Sequence, residues 1–236
     1  MEQIKIIFEN NDFLVIDKPA GILVHPTAAN EPDTLTSWLT ARYPEIAELD
    51  WPDKTRIGIV HRLDKDTSGL ILLAKNPETL EKLQEEFKGR TIKKSYQALV
   101  LGKTPDEGKV EAGIVRDSNK DMMKIQETTY SFTKGTVREA VTEYKTIERF
   151  QYQNEDLSLV EVYPQTGRMH QIRLHMKYAG FPLIGDQMYQ TKLSNQISKE
   201  LGIERQFLHA VELKFANYDF HSELADDLKN LLKKIV

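Results

Sequence analysis

The amino-acid sequence predicts an α+β fold in which a mixed, mostly antiparallel β-sheet is flanked by helices. Short apolar runs of strand-like composition are interspersed with amphipathic segments of helical period. These segments do not follow a regular β-α-β rhythm, which argues against a fully parallel sheet. At 236 residues the chain is long enough for one large domain or two small ones. We expect a single domain over residues 1–236, because the sequence contains no repeat, low-complexity tract or clear linker.

The first half of the chain is predicted to form strands and two helices. Residues 4–10 and 13–17 are typical of two strands around a polar turn. Residues 33–43 are typical of a helix with Asp33 as its N-cap, and residues 69–75 of a buried strand.

A second helix is predicted to begin after Asn76, a capping residue, with Pro77 at its first position. Gly89 is predicted to end it, and the chain then returns as a strand over 94–102.

The second half is predicted to be strand-rich and to end in an amphipathic helix. Its predicted elements are hairpins and loops over 103–136, strands over 137–150 and 157–164, a helix after 164–167 that ends at Gly180, a strand over 206–216 and a helix over 222–235.

Composition and charge exclude several classes of protein. No apolar run approaches the length of a membrane span, and the N-terminus lacks a signal-peptide pattern. The absence of cysteine excludes disulfides, thiolate catalysis and cysteine-based zinc sites, and it fits a cytoplasmic protein. A net charge of −4 argues weakly against a nucleic-acid partner. However, residues 88–94 and 165–177 are basic stretches without a single acid, so an acidic chain of this kind can still present one basic cleft.

The segment His61–Gly69, HRLDKDTSG, interrupts two apolar runs with charged and hydroxyl residues. One interpretation is a polar turn, since Asp, Thr, Ser and Gly are turn residues. The other is a loop at the mouth of a sheet that presents Arg62 and Asp64. A Ser68 nucleophile with His and Asp partners is disfavoured, because no nucleophile elbow is present.

The helix after residues 164–167 is a second candidate site. With a period of 3.6 residues, His170, Arg173 and Lys177 are predicted to share one face, and Arg168 falls at the N-terminus, where free N–H groups attract anions. The alternative is an ordinary solvated basic face. We expect no metal site, because His170 and His175 are five residues apart and neither a HExxH motif nor cysteine supports them.

Five stretches of the sequence, taken together, resemble the RluA-type pseudouridine synthase family. They occur in the family's order and span almost the whole chain. The stretches are DKPAGILVHP (17–26), HRLDKDTSGLILLAK (61–75), KKSYQALVLG (93–102), PQTGRMHQIRLHMKYAGFPLIGDQMY (164–189) and LHAVELKF (208–215).

The resemblance implies a pseudouridine synthase catalytic fold with a central RNA-binding cleft. Such enzymes isomerise uridine in RNA to its C-glycoside without cofactor or metal. By resemblance, Asp64 is the catalytic aspartate, Tyr96 stacks on the target base, and Arg173 pairs with the catalytic carboxylate. Arg62 matches the arginine near the flipped nucleotide, and Asp66 is expected to be structural.

The partner implied by the resemblance is RNA, either ribosomal or transfer RNA, with no membrane. We assign Arg168, His170 and Lys177 to RNA binding and expect a monomer. Many relatives carry a small N-terminal RNA-binding domain, which this chain is expected to lack. A further departure is HSELADDL (221–228), where the family often has a proline-containing pattern. Two rival functions remain: an inactive RNA-binding module, and a hydrolase that cleaves a glycosidic or phosphate bond.

Overall fold

The structure, a computed structural model, describes residues 4–26, 33–117, 122–126 and 137–235. The chain divides into two compact units, residues 1–94 with 209–225 and residues 95–208 with 226–236. Neither unit is a continuous stretch of sequence, because the chain leaves the first, builds most of the second and then returns. The expectation of one domain over 1–236 remains a prediction.

The described residues contain eleven strands and six helices. The strands are β1 (Lys5–Glu9), β2 (Phe13–Lys18), β3 (Ser68–Ala74), β4 (Lys93–Leu101), β5 (Glu107–Glu111), β6 (Gly113–Arg116), β7 (Met123–Gln126), β8 (Val141–Tyr152), β9 (Glu155–Pro164), β10 (Leu208–Phe215) and β11 (Tyr218–His221). The helices are α1 (Leu35–Arg42), α2 (Pro44–Ala47), α3 (Pro77–Gly89), α4 (Gln171–Tyr178), α5 (Lys192–Leu201) and α6 (Asp226–Ile235).

The first unit is built on strands β1, β2, β3, β10 and β11. The pairs β1–β2, β2–β3 and β10–β11 are antiparallel, whereas β3 and β10 run parallel. All seven residues of β3 are buried, as its uninterrupted apolar run predicts. In the second unit, β4, β9, β8 and β5 form consecutive antiparallel pairs, and β6 and β7 form a separate hairpin. The predicted α+β class with a mostly antiparallel sheet is confirmed.

Two predicted helix boundaries in the first unit differ from the structure. The N-cap of α1 is Thr34 and not Asp33, because the Thr34 hydroxyl and Ser37 form a reciprocal capping box. At the end of α3, Gly89 is still helical, and Arg90 adopts the left-handed conformation that closes the helix. Asn76 and Pro77 open α3 as predicted.

Three elements were not predicted at all, namely α2, α5 and β11. The helix α5 begins with a capping box between Thr191 and Ser194, and two of its four buried residues are serines. A buried face that contains Ser194 and Ser198 carries only a weak apolar period, so the sequence pattern did not reveal it. None of the helices in the described part of the chain is long and apolar enough to cross a membrane.

Candidate active site

The HRLDKDTSG segment forms a turn that leads into the buried strand β3. The amide of Thr67 donates to the carbonyl oxygen of Asp64 at 3.1 Å, which closes the turn. Leu63 and Thr67 are buried, Asp64 is half-buried, and Arg62 is exposed. The turn interpretation of this segment is therefore confirmed, and the presentation of Arg62 and Asp64 at the mouth of a sheet remains a prediction.

The buried side chain of Lys18, from the DKPAGILVHP stretch, supports the turn that carries Asp64. Lys18 is fully buried, and its ammonium donates to the carbonyl oxygens of Pro19, Lys65 and Thr67 at 2.8, 2.8 and 3.0 Å. Three acceptors satisfy all three ammonium protons, which is what burial of the charge requires. Lys18 thereby fixes the backbone on both sides of Asp66.

A second buried polar chain begins where the turn meets β3. The Ser68 hydroxyl and His209 Nδ1 lie 2.8 Å apart, and His209 is fully buried. His209 Nε2 lies 3.4 Å from the Ser222 hydroxyl, which donates to Asp17 at 2.7 Å. These hydrogen-bonded side chains connect β2, β3 and β10 in addition to the backbone hydrogen bonds of the sheet.

Gly69 is required at the start of β3 because β10 approaches its Cα closely. Its φ is +110°, and a Cβ at this position would overlap the carbonyl oxygen and amide nitrogen of Ala210. A side chain is therefore excluded both by conformation and by the neighbouring backbone. The parallel pairing of Gly69 with Ala210 depends on this contact.

His61, at the other end of the segment, is held as a neutral ring. It stacks on Phe87 with ring centroids 4.5 Å apart, and its Nε2 accepts the amide hydrogen of Leu72 at 3.0 Å. Burial, with a smaller contribution from the charge of Lys94, lowers the pKa of His61 to about 3. The ring is therefore neutral at physiological pH, and its proton resides on Nδ1.

In the second unit, the predicted stacking residue Tyr96 lies in β4. It is buried, and its register partner in β9 is Val162. The assignment of Tyr96 to base stacking remains a prediction.

Arg173 forms a buried, bidentate ion pair with Asp186, a residue to which no role was assigned from the sequence. Its Nε and Nη2 donate to the two carboxylate oxygens at 2.7 and 2.8 Å, and Arg173 Cζ lies 5.0 Å from the Tyr189 ring centroid. Asp186 Oδ1 also accepts the amide hydrogens of Met188 and Tyr189 at 2.9 Å each. The guanidinium is thus fixed in orientation, and Nη1 is not part of this pair.

Asp186 stays ionised despite its burial. Burial would raise its pKa, but the hydrogen bonds and charge of Arg173, helped by two backbone amides, outweigh it and lower the pKa below 3.8. The sequence stretch PLIGDQMY contains Asp186 without any periodic or motif signal that would pair it with Arg173.

The prediction that His170, Arg173 and Lys177 share one face of a helix is wrong. Helix α4 begins at Gln171, and His170 precedes it in a left-handed conformation with φ of 56°. Arg173 is buried together with Ile172 and Met176, whereas Lys177 is exposed. The cause is the pairing of Arg173 with Asp186, which allows a charged residue on the packed face.

Two residues assigned to RNA binding already have partners inside the second unit. His170 Nδ1 lies 2.8 Å from the Tyr189 hydroxyl, and Arg168 Nε donates to the carbonyl oxygen of Glu139 at 3.2 Å. Both side chains are half-buried, and Lys177 is exposed. Their contact with RNA remains a prediction.

Within the described ranges, one group of three side chains has the spacing of a metal site. It consists of Glu212, Asp219 and His221 on β10 and β11. The ammonium of Lys214 pairs with Glu212 at 2.5 Å and with Asp219 at 3.4 Å. A lysine therefore already supplies the positive charge that a metal ion would bring.

Comparison with known proteins identifies the family. The sequence profile of the family described as RNA pseudouridylate synthase matches residues 12–178. The chain belongs to this family. The match includes Asp64, Tyr96 and Arg173, and the expected class of enzyme, an isomerase that acts on RNA, is confirmed at the level of the family.

Curated relatives from bacteria support membership. An uncharacterised RNA pseudouridine synthase of Bacillus subtilis is 37% identical over 98% of this chain and 72% of its own length. Another, from Chloroflexus aurantiacus, is 36% identical over 93% of this chain and 65% of its own length. The ribosomal large subunit pseudouridine synthase D of Vibrio parahaemolyticus is 36% identical over 94% and 68%, respectively. The chain thus spans roughly two thirds of the length of these relatives.

Solved structures give the same family and fold. The human RNA pseudouridylate synthase domain-containing protein 4 superposes with a TM-score of 0.75 at 25% identity, covering 98% of this chain and 92% of that one. The human domain-containing protein 1 superposes with a TM-score of 0.69 at 23% identity, covering 99% and 94%, and it supports the fold alone.

Proposed function

We propose that this chain isomerises uridine to pseudouridine in RNA, without a cofactor, and that Asp64 is the catalytic carboxylate. The observation that carries the proposal is the setting of Asp64: a half-buried carboxylate on a turn whose backbone is fixed by the buried Lys18. Catalytic groups need such fixed positions, because a small misplacement costs a large part of the rate.

The proposed chemistry breaks the N1–C1′ bond, turns the uracil and rejoins it to C1′ through C5. In a base-paired or stacked uracil, an enzyme side chain cannot reach the reacting atoms and the ring cannot turn. The nucleotide must therefore flip out, at a cost of a few kcal/mol. Stacking of the base on Tyr96 would recover about 1–3 kcal/mol of that cost. Arg62, exposed beside Asp64, is proposed to contact the flipped nucleotide or the space it leaves.

Arg173 is proposed to stabilise the ionised form of Asp64. Burial of a carboxylate under the substrate raises its pKa, and a nearby guanidinium opposes this effect at any physiological pH. The bidentate bond to Asp186 supports the role, because it fixes the direction of the guanidinium and keeps its charge at a buried position. Arg168, His170 and Lys177 are proposed to contact RNA outside the reacting nucleotide.

Three chemical roles are open to Asp64: attack on C1′, addition to C6 and removal of the proton from C2′. Uridine that carries deuterium at C2′ separates the third role from the other two. Only proton removal from that carbon gives a primary isotope effect, whereas the other two roles leave the rate of bond breakage nearly unchanged.

The proposed target is RNA of the large ribosomal subunit, with transfer RNA as the alternative. Several relatives are named ribosomal large subunit pseudouridine synthase D, which supports this order of testing. We further propose that the chain acts as a monomer and that it acts in the cytoplasm, a reducing compartment that its lack of cysteine fits.

The test maps pseudouridine in both RNA classes from cells with and without the gene, followed by reaction of the purified protein with the RNA that changes. We expect isomerisation by the wild type and none by Asp64→Asn, which removes the charge but retains shape. An Asp64→Asn variant with appreciable turnover would contradict the assigned role. RNA binding without any product would establish the inactive module, and released uracil or cleaved RNA would establish a hydrolase.

A further inference from the structure

Lys94, at the start of β4, carries an ammonium group for which the described residues supply no carboxylate partner. The ammonium lies over the aromatic ring of Phe87, and Lys94 Nζ is 5.4 Å from the ring centroid. The side chain is half-buried, and burial lowers the pKa of Lys94 with no opposing charge. By contrast, Lys75 and Lys82 of the same unit pair with Glu9 and Glu78 at 2.9 and 2.7 Å.

A partly desolvated cation without a counter-charge is unfavourable for the folded protein. Proteins normally pair such groups, and those left without a partner are concentrated at binding sites, where the ligand supplies the opposite charge. The face of Phe87 stabilises the ammonium only in part, because an aromatic ring offers a partial negative charge and not a full one. The arrangement at Lys94 therefore favours binding of an anion.

The surroundings of Lys94 are basic as well. We name residues 88–94 the α3–β4 corner, which contains the exposed cations Lys88, Arg90 and Lys93. None of them forms an ion pair within the described part of the chain. The positions of Lys88 and Arg90 at the end of α3 agree with a favourable helix dipole, but Lys93 and Lys94 lie in β4, where that explanation does not apply.

The corner adjoins the segment that carries Asp64. The Phe87 ring contacts Lys94 and also stacks on His61. The charge of Lys94 contributes to the low pKa of His61. His61 is the first residue of HRLD, three positions before Asp64. An anion held at Lys94 would thus lie beside the turn to which a substrate nucleotide must come.

We propose that Lys94 binds a backbone phosphate of the RNA substrate close to the nucleotide delivered to Asp64, and that Lys88, Arg90 and Lys93 contact phosphates further along the strand. This inference rests on the proposed function, because it takes RNA to be the ligand. Phosphate contacts of this kind fix the register of a nucleic acid without reading its sequence. An ammonium serves as a point charge for one phosphate oxygen.

The decisive variant is Lys94→Met, which retains the hydrocarbon stem over Phe87 and removes the charge. The matched control is Lys82→Met, on the exposed side of α3, where the lysine is already paired with Glu78. The probe is a single-stranded 20-nucleotide oligouridine RNA, whose binding is measured by fluorescence anisotropy over a series of salt concentrations. Isomerisation of the probe leaves its charge unchanged, so turnover does not disturb the measurement.

We expect Lys94→Met to bind the probe about tenfold more weakly than the wild type at low salt. The slope of log K against log salt concentration should decrease in magnitude by about 0.7, the value for one phosphate contact on a single strand. Lys94→Arg should restore most of the affinity and the slope. Lys82→Met should match the wild type in both quantities.

Two outcomes separate this inference from the proposed function. If the wild type binds the RNA but Lys94→Met has the same affinity and salt slope, Lys94 is only a structural side chain and the inference is wrong, whatever happens to the melting temperature. If the wild type does not bind the probe or any cellular RNA, the proposed function itself fails. If Lys94→Met lowers kcat and leaves binding and salt slope intact, the residue acts in chemistry, which also overturns the phosphate assignment.

Discussion

Replacing Asp186 by asparagine tests whether the buried ion pair holds Arg173 in place. The pair has side-chain exposures of 7% for Arg173 and 1% for Asp186, so neither charge is effectively solvated. Removing one partner from a buried pair costs about 3–5 kcal/mol, because the remaining charge stays buried without compensation. Asparagine preserves the volume and one carbonyl oxygen, which can still accept the amide hydrogens of Met188 and Tyr189.

The expected loss of unfolding free energy for Asp186→Asn is therefore near the lower end, about 3 kcal/mol. In this variant the NH2 group of the asparagine would face Arg173 Nε, so two hydrogen-bond donors would oppose each other. For a chain of this size such a loss corresponds to a melting temperature lower by about 6–12 °C. Urea denaturation at pH 7, followed by circular dichroism, measures the change in free energy directly.

The matched control is Asp227→Asn in the same unit. Asp227 forms a bidentate pair with Arg205 at 2.6 and 2.8 Å, so its geometry resembles that of Asp186. Asp227 is 55% exposed, however, and surface pairs contribute about 0–1 kcal/mol. If Asp186→Asn were no more destabilising than Asp227→Asn, the argument from burial would be refuted.

The pH dependence of the difference gives a second test. The folded pKa of Asp186 is lowered below its usual value of 3.8, so its stabilising contribution is fully present above about 3.8. It is lost as the pH falls through the lower folded value. The stability difference between wild type and Asp186→Asn should stay constant from pH 7 to about pH 5 and narrow only at more acidic pH. A difference that disappears near neutrality would implicate another group.

Three further predictions concern the residues around the reaction. Tyr96→Phe should leave RNA affinity within about twofold, because stacking needs only the ring, and any fall in kcat then measures the hydroxyl contribution. Lys18→Met should lower the unfolding free energy by about 2 kcal/mol and should reduce kcat more than it changes KM. The control Lys65→Met, at an exposed position, should change neither the stability nor the kinetics. Equal kinetics for both variants would argue against positioning by Lys18. Gly69→Ala should lower the free energy of unfolding, measured by urea denaturation, by more than about 3 kcal/mol. The control Gly180→Ala should lower it by about 1 kcal/mol, because Gly180 has a similar φ but open space around it. Comparable losses for the two variants would show that the close approach of β10 to Gly69 is unimportant.

Elements with a clear apolar period were predictable from the sequence, and elements with polar buried faces were not. The strand β3 and the N-terminus of α3 followed from an unbroken apolar run and from Asn76 with Pro77. The helix α5 was missed, because buried serines replace apolar residues on part of its packed face. The basic face predicted for α4 was wrong, because His170 precedes the helix and Arg173 is buried beside apolar residues.

Several parts of the site that escaped prediction depend on partners distant in sequence. Lys18 bonds to carbonyl groups 47 and 49 residues away, and Ser68 meets His209 at a separation of 141 residues. Local periodicity carries no information about such pairs, and the motif stretches DKPAGILVHP and LHAVELKF contain Lys18 and His209 without showing what they contact. Only the folded chain reveals which buried polar group satisfies which.

These buried polar contacts explain why charge interrupts the apolar runs at His61–Gly69. A polar segment next to a buried strand would be unfavourable unless its polar groups were satisfied. From two other strands, Lys18 satisfies the carbonyl groups of Lys65 and Thr67, and His209 satisfies the Ser68 hydroxyl. In the second unit, Asp186 does the same for Arg173. Internal hydrogen bonds thus fix the backbone beside Asp64 in the first unit and the guanidinium of Arg173 in the second. In the proposed function, such pre-organisation would lower the free energy needed to align the reacting groups. It follows that variants of Lys18 or Asp186 should reduce kcat even though neither residue is assigned a contact with the substrate.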